Sequence, residues 1–232
     1  MTGMTFDPTA GGASRRLALA SVLILAVAIR LGAMLTQTYV VFADETFQYL
    51  EQGHRLAFGT GVVPWEYHAG IRSWLFPGLI ANLMRLGAML GDGPEPYLLL
   101  IRGACSALSL SIVWAGFRLG EHAQGQRAAI LAGGFAAVWF DPVWFAPAVL
   151  TETVAAHLII LALALDAAGR RAWLAAICLG LAVCLRYQYG PAIAVIILWR
   201  CRLSWPAWRP ILVGGAATVL LAGGVLDWVT WG

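Results

Sequence analysis

Residues 73–90, SWLFPGLIANLMRLGAML, decide the fold. The run is apolar enough to suggest a membrane-crossing helix, yet it carries Pro77, Asn82 and Arg85 and is short for a ~30 Å hydrocarbon core. Cationic side chains gather on the cytoplasmic side of membrane proteins, and that bias chooses between the two readings. If 73–90 crosses, every later segment is inverted and Arg170-Arg171, Arg200, Arg202 and Arg209 lie outside. If it lies on or dips into the outer face, all of them fall inside, and this second arrangement is the expectation.

Working outward, the arrangement has seven spans: 17–35, 97–119, 127–146, 149–166, 172–187, 191–199 with a few flanking residues, and 211–228. The amino terminus is inside and the carboxyl terminus outside. The chain reads as a single all-α, polytopic membrane domain: a cytoplasmic tail over 1–14, a first outer loop over 37–96 with in-plane helices, and six further spans over 97–232. Composition agrees, since 60% of the residues are hydrophobic and 12% charged, more apolar than a soluble chain of 232 residues requires. The formal net charge of +3 comes from cations at the ends of apolar runs, a matter of orientation rather than of nucleic-acid binding. Cys105, Cys178, Cys184 and Cys201 are dispersed without a CxxC pair, so they read as packing residues and no metal site is expected.

Arg15 and Arg16 precede the first span, in which Arg30 is the only ion. A cleaved signal peptide ending near Val41-Phe42-Ala43 competes with this reading, but the apolar run exceeds the ~7–15 residues of a signal core, so an uncleaved anchor is expected. Thr46 to Phe58 has helical spacing with a Glu51–Arg55 pair. Asp44 is placed to cap it and Gly59 with Gly61 to end it. Ser204 to Pro210 reads as a basic, aromatic cytoplasmic turn. Gly133-Gly134, Gly180, Gly214-Gly215 and Gly223-Gly224 permit close helix approach.

The topology puts Asp44, Glu45, Glu66, Arg72, Asp141, Glu152, Arg186 and Asp227 on one outer face. Acids directly after an apolar segment call for a functional explanation. Carboxylates can take a proton from a hydroxyl, guanidinium groups pair with phosphate, and aromatic walls suit sugars or isoprenes. Structural readings stand beside these: Asp44 as a cap, Glu45 holding a neighbouring backbone group or an Arg, Arg72 paired with Glu66, Arg186 snorkelling, His54 as an interfacial polar residue, Asp141 as a turn residue, and Glu152 capping the span it starts.

Asp44-Glu45-Thr46-Phe47-Gln48, Glu51, Trp65-Glu66-Tyr67, Ile71-Arg72-Ser73 and Pro77, with Arg186-Tyr187-Gln188 and Leu226-Asp227-Trp228 later, resemble the mannosyltransferases of glycosyltransferase family twenty-two. Within that family they are most similar to the members that add the third mannose of the glycosylphosphatidylinositol core. Phe42-Ala43 stands where the family usually has His-Pro, and Pro64 where it has Thr. The resemblance implies a GT-C helical bundle in a bacterial inner membrane or the endoplasmic reticulum membrane. It implies an enzyme that moves a sugar, expected to be mannose, from a polyprenyl or dolichyl phosphate to a lipid-linked glycan on the outer or luminal face, with inversion and no cofactor. Asp44 then matches the catalytic base with Glu45 beside it, and the substrate-binding set is Trp65, Glu66, Tyr67, Arg72, Glu152, Arg186 and Gln188. The resemblance runs from about Arg15 to Gly232 and covers the shared amino-terminal module, so the 232 residues alone are expected to be catalytically incomplete. A non-enzymatic lipid-linked-sugar translocator or scaffold subunit is the competing reading. It would place paired ions at mid-membrane on broken helices, whereas here the ions gather at one face.

Overall fold

The computed structural model describes residues 8–37, 42–167, 172–201 and 204–231, and all regular structure among them is helical. Among the described residues three helices are long and apolar enough to cross a membrane: Gly12–Thr36 within α1 (Pro8–Thr36), α5 (Glu95–Gln124) and α11 (Trp205–Thr230). Between them lie α6 (Gln126–Val138), α8 (Thr151–Ala167), α9 (Ala172–Leu185) and α10 (Gly190–Cys201), with the short α7 (Phe140–Trp144) after α6. Among the described residues, helix length alone supports three spans where the sequence suggested seven.

α5 is the central post. It packs against α1, α6, α8 and α4 (Leu75–Ala88), while α9 packs against α8 and α11. Residues 73–90 form only the 14-residue α4, about 21 Å at 1.5 Å per residue, which buries Phe76, Ile80 and Met84 against α5 and the first loop. Small residues allow the close approaches. A Cβ on Gly180 would lie 2.7 Å from Thr218 Cβ and 2.9 Å from Gly215 O, so α9 and α11 meet nearly backbone to backbone.

Three local expectations change. Residues 8–14 of the expected tail, read from the sequence as lacking periodicity, are helical, because proline suits the first turn of a helix, where its missing N–H is not needed. The segment 204–210 is no turn: Trp205–Pro210 opens α11, with a proline again in its first turn. The third span stops early. Pro142 has no N–H to donate to Val138 O, so α6 ends at Val138, Trp139 turns extended (ψ 133), and α7 restarts the chain.

That break exposes the carbonyls of the last turn of α6, and Arg30 supplies their partners. Its guanidinium, 1% exposed, donates to Ala137 O at 3.1 Å, Ala136 O at 3.3 Å, Ser109 Oγ at 2.7 Å and, more weakly, Ala26 O at 3.4 Å. A cation at the negative end of a helix is the favoured sign, and one side chain thereby ties α1 to α5 and α6. The clusters Arg170-Arg171 and Arg202 invoked for orientation lie outside the described residues; Arg200 pairs with Asp166.

Candidate active site

The segment between α1 and α5 carries the candidate site. It runs from a π-helical turn, Glu45–Leu50, into α2 (Glu51–Phe58), then through the short α3 (Trp65–His68) to α4. Gly59 ends α2 in the left-handed conformation (φ 83), as its position suggested. Asp44 does not cap: its own backbone is already helical and its side chain makes no cap bond. Its Oδ1 accepts from Gln48 Nε2 at 3.3 Å, and the same amide donates to Glu66 Oε1 at 3.2 Å. One buried amide thus spans two carboxylates from different elements, with Asp44 exposed. Glu51 accepts from Val62 N–H at 3.0 Å, an interaction the proposed Glu51–Arg55 pair did not foresee. His54 Nδ1 bonds to Thr60 O at 2.7 Å.

Glu45, beside the exposed Asp44, is turned into the protein. It is 6% exposed, and its Oε1 accepts from Val149 N–H at 2.6 Å, fastening the loop to the chain just before α8. A second fastening runs beside it. Tyr49 Oη meets Thr151 Oγ1 at 2.5 Å, Thr151 Oγ1 donates to Glu152 Oε2 at 3.3 Å, and Glu152 forms an ion pair with Arg186. Burial pushes the phenols of Tyr49 and Tyr67 above their ordinary values, so both stay protonated as fixed donors. Tyr67 Oη donates to Gln48 O at 2.8 Å.

Two cavities flank the Glu152–Arg186 pair. The first, about 290 Å³, is lined by Arg72, Arg186, Gln188 and Asp227 with Tyr67 at its wall. Within it two polar atoms are buried without a hydrogen-bond partner among the described residues, Arg186 Nη1 and Asp227 Oδ1. The second, about 650 Å³, is lined by Asp44, Asp141 and Glu152 together with apolar groups and His157. Asp141 Oδ2 accepts from Trp139 Nε1 at 2.6 Å, which holds the acid at the break after α6.

The structure therefore gathers Asp44, Tyr67, Arg72, Glu152, Arg186 and Gln188 around two adjoining cavities, ties Glu66 to Asp44 only through the Gln48 amide, and leaves Trp65 out. Trp65 is 68% exposed and lines neither cavity. Tyr67, expected as an aromatic wall, is 3% exposed and serves mainly to hold the loop backbone. Sequence reasoning missed the Gln48 amide and His157. Gln48 lies four residues after Asp44, a helical spacing that could have flagged it; nothing in the sequence around His157 distinguishes it from a core histidine. Among the described residues no group of three or more His, Cys, Asp and Glu is arranged to hold a metal ion.

A profile of the Alg9-like mannosyltransferase family matches residues 21–208. The chain is similar to GPI mannosyltransferase 3 of Drosophila melanogaster, 46% identical over 70 residues, which is 30% of this chain and 12% of that protein. It is similar to GPI mannosyltransferase 3 of Yarrowia lipolytica, 40% identical over 76 residues (32% of this chain, 15% of that protein). It also resembles GPI alpha-1,2-mannosyltransferase 3 of Danio rerio, 43% identical over 56 residues (24% and 10%). The matched stretches thus cover only 10–15% of these relatives' own length. No solved structure matches the chain.

Proposed function

The chain belongs to the Alg9-like mannosyltransferase family, and from that premise we propose that it transfers mannose from a polyprenyl or dolichyl phosphate to a lipid-linked glycan. In this reading the seven-span topology holds, and the reaction takes place on the outer or luminal face. Asp44 takes the proton from the attacking acceptor hydroxyl. The hydroxyl oxygen bonds to the sugar's anomeric carbon as the bond from that carbon to the phosphate oxygen breaks, and the phosphate leaves with the electron pair. One displacement inverts the anomeric centre, and a single base suffices.

The observation that carries the reading is the separation of charge at the site. An exposed carboxylate, relieved of any capping duty, borders the acid-lined cavity, while Arg72 and Arg186 line the neighbouring one, where Arg186 Nη1 is buried without a partner. A phosphate oxygen is the natural acceptor for that N–H, because guanidinium keeps its charge and matches the geometry of phosphate oxygens. Glu45 acts through position, holding Val149 N–H so that Asp44 is presented outward.

The test is D44N with labelled polyprenyl-phosphate mannose and a lipid-linked acceptor. General-base catalysis contributes ~10²–10⁴-fold, so transfer falls by about that factor while donor binding stays within twofold of wild type. R186Q instead weakens donor binding about tenfold or more. A D44N protein that keeps more than about a tenth of the wild-type rate refutes the base assignment.

A further inference from the structure

Beneath Asp44 lies a group that the displacement step does not use. His157, on α8, is 3% exposed and lines the 650 Å³ cavity, and among the described residues its Nδ1 has no hydrogen-bond partner. It follows Thr151 by six residues, so the helical rise sets it ~9 Å below the start of α8. A buried ring nitrogen without a partner at that depth is costly unless a ligand or water satisfies it.

The remainder of the cavity specifies the ligand. Asp44, Asp141 and Glu152 line it, with no Lys or Arg among its described lining residues, so a phosphate group is repelled there. Phe42 and Phe145 stack with ring centroids 5.7 Å apart and provide a flat apolar wall. Carboxylates accept from hydroxyls, aromatic faces pack against C–H surfaces, and a neutral imidazole nitrogen takes one more hydroxyl. This is a site for an uncharged, hydroxyl-rich group, of a volume usual for small-molecule pockets, and opposite in sign to the neighbouring cavity that holds Arg72 and Arg186.

We propose that this cavity holds the terminal sugar of the lipid-linked acceptor, and that His157 is an acceptor-positioning residue whose Nδ1 accepts a hydrogen bond from a hydroxyl at the buried end. The proposal rests on the transferase reading above and sharpens it by dividing the substrates, phosphate on the basic side and glycan on the acidic side.

The experiment measures binding of two probes to the full chain in phosphatidylcholine nanodiscs: dodecyl α-mannoside for the glycan and farnesyl phosphate for the lipid phosphate. H157F weakens dodecyl mannoside binding about tenfold and leaves farnesyl phosphate within twofold, since one buried hydrogen bond is lost on one side only. H157Q, whose amide oxygen can accept the same hydrogen bond, restores most of the affinity. A156F, which narrows the cavity without touching the imidazole, weakens the mannoside alone, and R186Q shows the reverse pattern. Equal weakening of both probes by H157F marks a structural role and overturns the proposal, as does an H157F protein that binds the mannoside like wild type. A wild-type chain that binds farnesyl phosphate but not the mannoside overturns the proposal and leaves the transferase reading in place. Binding of neither probe overturns both.

Discussion

Replacing Arg30 with methionine keeps an unbranched side chain of similar reach and removes the guanidinium. Of its four acceptors, Ala26 O lies within α1 and Ser109 Oγ retains its own bond to Ser106 O at 2.7 Å. Ala136 O and Ala137 O lie in the last turn of α6 and lose the donor given to them by Arg30. Two buried orphaned carbonyls at ~1–3 kcal/mol each set an upper range of about 2–6 kcal/mol. Polar contacts within membrane bundles average only ~0.6 kcal/mol, which for four bonds gives about 2.4 kcal/mol. The loss should therefore fall near 2–3 kcal/mol. R30K should lose less than R30M, because an ammonium keeps the charge but lacks the planar fork that reaches Ser109 and both carbonyls at once. The assay is unfolding by sodium dodecyl sulfate in mixed micelles, followed by circular dichroism. An R30M protein within 0.5 kcal/mol of wild type, by this order-of-magnitude reckoning, would show that the guanidinium does not bind α1 to α6.

Further outcomes follow from other contacts. G180V drives a side chain into Thr218 and the Gly215 carbonyl, so it should lower stability by about 1–3 kcal/mol and weaken farnesyl phosphate binding, because the first cavity lies between α9 and α11. Unchanged melting and binding would show that the two helices are not held at backbone contact. E45A removes the acceptor of Val149 N–H and should speed hydrogen exchange across 145–150, as read by mass spectrometry, while E45Q should largely preserve protection. Single cysteines at Arg85 and Asp92, in a background lacking the native four, should react with an impermeant thiol reagent from outside, and cysteines at Arg170 and Arg202 should not. Labelling of position 202 from outside would invert the topology.

What could be read from the sequence was what depends on spacing and composition. The apolar runs, the small residues at helix contacts and the gathering of Asp44, Glu66, Arg72, Glu152 and Arg186 all follow from order along the chain. What escaped depends on where a helix stops or which way a side chain turns. Arg30 looked like a lone ion because two of its four partners exist only once Pro142 has ended α6 and released their carbonyls, and Ser109 reaches it only once α1 packs on α5. Asp44 looked like a cap because a carboxylate before a helix usually is one, and only the helical conformation of its own backbone removes that role. Trp65 and Tyr67, two residues apart, were expected to share a surface; on the single turn of α3 they diverge, one outward and one into the loop.

The fastenings of the amino-terminal region reach far along the chain. Arg30 meets Ala137 across 107 residues, Glu45 meets Val149 across 104, and Tyr49 meets Thr151 across 102. At synthesis rates of ~5–20 residues per second, each of these partners emerges roughly 5–20 s after the group that awaits it. For that interval the first helix holds a guanidinium with no helix end to cap, so it must stay where water or lipid headgroups can reach Arg30. Its hydrogen bonds to α6 can form only after the Pro142 break has emerged.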